Sequence, residues 1–163
     1  MIALVTGAGQ GIGFAIAKVL AARGDKVCLM DIEGAAAAAK TIDGDHIAIT
    51  GDVTAELDVN RALAETIRTF GSIDAVVTAA GIVSVSPAVE VSADTFTHTL
   101  TTNVTGSFLP ARCAARIMAK QGGGNIVFIG SVYGEGGAPQ RTAYCASKGA
   151  VHNMTRSLAV EWG

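Results

Sequence analysis

The sequence predicts an α/β protein, a single Rossmann-like domain over residues 1–163 built on a doubly wound parallel sheet. Three observations carry that expectation. Short, continuously apolar runs alternate with helix-forming stretches, a glycine-rich loop joins the first run to the first helix, and Asp31 closes the second run. Runs that are apolar at every position suit strands covered on both faces, and such strands are parallel. Right-handed crossovers then wind the sheet, and ligands bind beyond the carboxyl ends of its strands.

Element by element, Ile2–Val5 reads as the first strand. A helix follows over Ile12–Arg23, with Ile12, Ile16, Val19 and Leu20 on one face and Gly24 as its stop. Lys26–Met30 is a second strand. The Ala-rich Glu33–Lys40 favours helix on propensity, and His46–Thr50 is a third strand. Thr54 is placed to cap a helix running to Phe70, with Leu57, Leu63, Ile67 and Phe70 apolar and Gly71 ending it. Ile73–Thr78 is a fourth strand. Residues 92–120 read as helix, bent or divided by Pro110 and broken by Gly122–Gly124. Asn125–Gly130 is a fifth strand, and Thr142–Glu161 a last helix.

Composition narrows the function. Half of the 163 residues are apolar and 16% are charged, too apolar a mixture for disorder. Twelve basic residues against fourteen acidic ones leave a net charge of −2, with no basic footprint for nucleic acid and no polybasic patch for a membrane. No apolar run approaches the ~18–20 residues of a membrane span. Cys28, Cys113 and Cys145 lack metal or CxxC spacing and read as reduced thiols of a cytoplasmic protein. His46, His98 and His152 are scattered, and their bland reading is structural or surface histidine. No metal site is expected.

Two sets of residues point to chemistry. The loop Thr6–Gly13 carries glycines at 7, 9, 11 and 13 with Gln10 and Ile12 between them. It is wider than G-x-G-x-x-G, and no Gly-Lys-Ser/Thr follows it. Glycine lets a pyrophosphate approach the backbone, and the helix behind offers free N–H groups. Asp31 lies 18 residues after Gly13, where a carboxylate binds ribose hydroxyls and repels a 2′-phosphate, which favours NAD over NADP. Asp52 is placed to accept from an adenine amino group with Val53 beside it, or else to serve as an ordinary turn aspartate.

The second set is Tyr144 and Lys148, four apart on one helical face, with Ser131 thirteen residues before Tyr144 and Asn103 on the preceding helix. A phenol of pKa ≈ 10 is a poor base until a neighbouring cation favours the phenolate. Ser131 suits orientation of a substrate oxygen, and Asn103 a water behind Lys148. Val83, Val132, Tyr133 and Gln140 are candidates for the substrate side.

With Thr6-Gly7-x-x-x-Gly11-Ile12-Gly13, Asp31, Asp52-Val53, Asn103, Ser131 and Tyr144-x-x-x-Lys148 in hand, the chain resembles the classical short-chain dehydrogenase/reductase family over its whole length. The resemblance implies an NAD-dependent oxidoreductase moving hydride between nicotinamide and a secondary alcohol or ketone. Tyr144 would be the general acid/base, Lys148 the group that tunes it and binds the nicotinamide ribose, Ser131 the orienting hydroxyl and Asn103 part of a proton relay. Ala80 and Gly81 join the cofactor-binding set.

Two departures are visible. Thr78-Ala79-Ala80-Gly81 stands where the family has Asn-Asn-Ala-Gly, so a polar tie between strand ends is lost, with Thr78 expected to compensate in part. The last strands of the family fold are also lacking. The fifth strand is therefore expected to be an uncovered apolar edge, and the 163-residue piece to be inactive by itself. Residues 92–120 and 142–161, with Phe108, Ala111, Ala115, Met118, Ala150, Met154 and Leu158, are the expected homodimer or homotetramer surface. The alternative function is a non-catalytic nucleotide-binding or interaction module.

Overall fold

A computed structural model describes all of residues 1–163. Five parallel strands form one sheet in the order β3-β2-β1-β4-β5. They are β1 (Ile2–Thr6), β2 (Lys26–Asp31), β3 (His46–Thr50), β4 (Ala75–Thr78) and β5 (Asn125–Phe128). The helices are α1 (Gly11–Ala22), α2 (Ala35–Ala39), α3 (Glu56–Phe70), α4 (Ala93–Leu100), α5 (Gly106–Gln121) and α6 (Thr142–Trp162). The chain starts in the middle of the sheet, moves out to β3, then crosses back to β4 and β5. The strand order therefore reverses between β1 and β4, and a crevice opens at their carboxyl ends.

Strand periodicity sorts the core into two layers. Ala3 and Val5 face one side with Val27 and Leu29, against Ala17, Leu20 and Ala21 of α1 and the alanines of α2. Leu4, Cys28, Met30 and Val76 face the other side, against Val59, Ala62 and Leu63 of α3 and Leu109, Cys113, Ala114 and Met118 of α5. Full burial of a side chain such as Leu4 or Leu29 is worth roughly 1.5–3 kcal/mol. The first layer is alanine-rich, which lets α1 and α2 lie close on the sheet.

Several expected details change. Of the expected face of α1, Leu20 is buried and Ile16 packs against the core, but Ile12 and Val19 are exposed, and Gly13, Ala17 and Ala21 are buried in their place. The α1–sheet contact selects small residues, so hydropathy alone finds only part of the face. Leu57 is also exposed. Thr54 does not cap α3. Its N–H and hydroxyl both donate to Asp52 Oδ1 at 2.8 Å, and the helix starts two residues later, with Asp58 accepting the Asp52 N–H. Gly34, in the left-handed region, delays α2 to Ala35.

The helix expected over 92–120 is interrupted, and the interruption is not at Pro110. A π-helical turn covers Thr101–Thr105, where the Gly106 N–H donates five residues back to the Thr101 carbonyl. Pro110 lies inside an unbroken α5. Proline has no N–H to give the Gly106 carbonyl four residues back, and that residue is where the widened turn ends.

β5 is the outermost strand, with Asn125 and Val127 exposed and Ile126 and Phe128 half-buried. Ala111 and Met118, expected on an oligomer face, are buried in the core, and Phe108 packs against it, so α5 uses much of its apolar face on the sheet. Ala150, Met154 and Leu158 of α6 are half-buried. No helix is long and apolar enough to cross a membrane.

Candidate active site

A cavity of about 700 Å³ opens at the point where the strand order reverses. Its walls are Gly7 and Gln10–Gly13 after β1, Asp31 and Ile32 after β2, Gly51–Thr54 after β3, and Ala79–Ile82 after β4. His98, Thr101 and Thr102, from α4 and the π turn, close the remaining side. The start of α1 faces this space. Gln10 is extended and its side chain makes no cap, so the first N–H groups of α1 and its positive dipole end are free for an anion.

The four loop glycines have separate reasons. Gly7, at φ +64°, has no room for a Cβ, which would lie 2.7 Å from Ala80. A Cβ on Gly13 would overlap the Gly7 carbonyl, so this glycine seats α1 on β1. One on Gly9 would overlap the Glu33 carbonyl, and Gly9 does not line the cavity. Its N–H donates to Asp31 Oδ2 at 2.8 Å. Gly11 faces open space. These contacts would shape the same loop with or without a ligand, but the open side at Gly11 and the uncapped helix fit a pyrophosphate.

Asp31 Oδ1 accepts the Glu33 N–H at 3.2 Å, so the carboxylate is fixed at the cavity wall with lone pairs to spare. No Lys or Arg lines the cavity to receive a 2′-phosphate. Asp52 acts as the turn aspartate through Oδ1 and also lines the cavity, beside the buried Val53.

The other polar residues meet behind Gly81. A Cβ there would lie 3.2 Å from Asn103 Oδ1, close enough to press on it, and 3.9 Å from Lys148 Nζ, in ordinary contact. Asn103 is fully buried in the π turn. Its Oδ1 accepts the Ile82 N–H at 2.8 Å, and its Nδ2 donates to the Ile82 carbonyl and to Ser147 Oγ, both at 2.9 Å. Both amide hydrogens are used, so the side chain clamps the 81–82 loop to α6. Ser147 Oγ in turn donates to the Tyr144 carbonyl at 2.7 Å.

Lys148 Nζ donates to the Ile129 carbonyl at 2.7 Å and lies 5.8 Å from the Tyr144 ring centroid. Burial pushes its pKa below the ordinary lysine value. Ser131 stands three residues past the end of β5 and caps a 3₁₀ turn over Val132–Gly134, its Oγ accepting the Tyr133 N–H at 3.2 Å. No hydrogen bond joins its hydroxyl to that of Tyr144. Val83, Val132 and Tyr133 are exposed around this end, and Ser86 donates to the Gln140 carbonyl at 2.9 Å, linking the two loops.

Four features escape the sequence reading. The tie between strand ends runs through Thr6, whose Oγ1 accepts the N–H groups of Ala79 and Ala80 at 3.2 and 3.3 Å. Thr78 adds a second tie, as expected in part, its hydroxyl donating to the Val127 carbonyl of β5 at 3.4 Å. Thr101 and Thr102 lie within one turn of Asn103, a spacing that could have found them. His98 lies one turn before Thr102, and that spacing also points to the cavity. Ser147 carried no signal of its own.

The profile of the family described as short chain dehydrogenase matches residues 1–163. An "Uncharacterized oxidoreductase" of Thermotoga maritima is 40% identical over 99% of this chain and 65% of its own length. A "D-threitol dehydrogenase" of Mycolicibacterium smegmatis is 39% identical over 99% of this chain and 64% of its own. A 3-oxoacyl-(acyl-carrier-protein) reductase of Bos taurus is 38% identical over 96% of this chain and 67% of its own. The chain thus spans about 65% of the length of the relatives it matches. With the parallel sheet, the glycine-loop cavity and this match over its full length, the chain belongs to the short-chain dehydrogenase family.

Proposed function

We propose that this chain carries the cofactor and acid/base machinery of an NAD-dependent oxidoreductase acting on a secondary alcohol or its ketone. The observation that carries the reading is the convergence behind Gly81. One glycine faces both Asn103 and the buried Lys148 at the rim of the dinucleotide-sized cavity. Gly7, Gly11, Ile12 and Gly13 would border the pyrophosphate, Asp31 the adenosine ribose, Asp52 and Val53 the adenine, and Ala80 and Gly81 the nicotinamide half. Asp31 without a neighbouring cation favours NAD over NADP. When bound, the nicotinamide supplies the hydride acceptor or donor.

The residues of the chain do the rest. Tyr144 takes the proton of the substrate hydroxyl on its phenolate oxygen in oxidation, and returns it in reduction. The Lys148 ammonium favours that phenolate through its charge. Ser131 Oγ orients the substrate oxygen, and Asn103 fixes α6 against the 81–82 loop so that Tyr144 and Lys148 stay aligned. A relative named D-threitol dehydrogenase supports a hydroxyl-bearing substrate.

Tyr144→Phe tests the reading. In the intact protein, turnover is expected to fall by about 10²–10⁴ while NADH binding, followed by fluorescence titration, is retained. NADH binding with turnover indifferent to this substitution would instead support a nucleotide-binding module.

A further inference from the structure

His152 stands one helical turn beyond Lys148, so Tyr144, Lys148 and His152 share a stripe of α6. The loop after β5 is shaped around its ring. A Cβ on Gly130 would overlap His152 Nε2, and one on Gly134 would lie 2.8 Å from Cε1. The backbone N–H of Ser131 donates to His152 Nε2 at 3.3 Å. A backbone N–H can only donate, so Nε2 bears no proton. The ring proton is therefore on Nδ1, which faces Glu135 Oε1 at 3.9 Å.

We propose that His152 is a positioning residue, a neutral imidazole that holds Ser131 in register with Tyr144 and Lys148 and releases it on protonation. The catalytic consequence rests on the hydride-transfer reading. The hydrogen bond does not.

The switch follows from the donor inventory. Imidazolium has two N–H donors and no acceptor, so Nε2–H would meet the Ser131 N–H donor to donor. The new charge would be drawn toward Glu135 from the loop. On α6 itself, Lys148 and Arg156 flank His152 one turn to either side and oppose it. Ser131 would lose its backbone partner, and its hydroxyl would move with it. Ser131 is therefore held while Nε2 is bare and freed when it gains a proton.

Nitrogen NMR of the imidazole in this chain reads the bond directly. The expected result is an unprotonated Nε2 at neutral pH and a Ser131 amide shift that follows the His152 titration with the same midpoint. An Nε2–H tautomer, or a Ser131 amide that stays flat through that titration, overturns the proposal. His152→Gln keeps an acceptor where Nε2 was and cannot titrate. Its Ser131 amide should remain protected from hydrogen exchange at every pH, whereas His152→Leu should lose about threefold to tenfold in protection.

In turnover assays of the intact protein, His152→Leu should lower kcat by a similar factor at unchanged KM for NAD. His152→Gln should recover it with a flatter acid limb. Equal losses of kcat in the two variants overturn the positioning role. The NMR measurements need no turnover, so their failure is distinct from failure of the hydride-transfer reading, which Tyr144→Phe reports.

Discussion

The two ends of the crevice are built differently. The proposed dinucleotide end is mostly backbone: a strand, four glycines, an uncapped helix start and one carboxylate held by two N–H groups. The proposed acid/base end is a set of side chains from separate segments, gathered by Gly81 and by the Asn103–Ile82–Ser147 hydrogen bonds. The first end follows from local chain geometry, and the second exists only when the sheet, the π turn and α6 have met. Thr6 joins them, since one hydroxyl at the end of β1 receives the two N–H groups that begin the loop to Gly81.

Substitutions can separate the two ends. The largest effect belongs to Tyr144→Phe, which should lower turnover by about 10²–10⁴ without touching the dinucleotide end. Next is a test of the floor beneath both. Burial raises the Cys28 thiol from 9.0 to about 11. Between those pH values the unfolded chain has lost this proton and the folded one has kept it. The Cys28 contribution is therefore whole below pH 9 and falls as pH rises toward 11, by on the order of 2–3 kcal/mol. Urea unfolding should weaken along this alkaline limb, and Cys28→Ala should flatten the slope. Loss of NADH binding and of circular dichroism should coincide if the ends form one cooperative unit.

Gly13→Ala should cost about 1–3 kcal/mol in urea unfolding, because its Cβ meets the Gly7 carbonyl. Gly11→Ala, with open space around it, should cost less, limited to the strain of a positive φ. Thr6→Val tests the joint between the two ends. It strips the Ala79 and Ala80 N–H groups of their acceptor and should cost about 1–3 kcal/mol if they stay dry, less if water replaces the hydroxyl. A loss of NADH affinity together with turnover in this variant would show the two ends moving as one. Loss of only one would confine Thr6 to that end.

Legibility in the sequence followed the same division. The strands and the glycine loop were readable because strand hydropathy and loop spacing are local properties. The face of α1 was readable only in part, because Gly13 and Ala17 are chosen for close approach to the sheet, and no hydropathy pattern favours them over Ile12. At the proposed acid/base end, the closeness of Tyr144 and Lys148 was legible from their spacing. The engagement of the whole Asn103 amide was not, because it depends on which carbonyl and hydroxyl the tertiary fold brings near. His152 was passed over because a histidine declares itself through its partner, and its partner is a backbone N–H on another segment.

The widened turn at Thr101–Thr105 has a consequence for the geometry of the proposed site. One surplus residue in a coil rotates everything beyond it by about 100° relative to a regular helix. α5 can thus bury Leu109, Cys113 and Met118 against the sheet while Asn103 still looks toward Ile82. Removing a single residue here would give a straighter, more regularly bonded rod, with either the anchoring face or the amide aimed wrongly. The irregularity works as a phase shifter, letting one stretch of chain obey two different addresses.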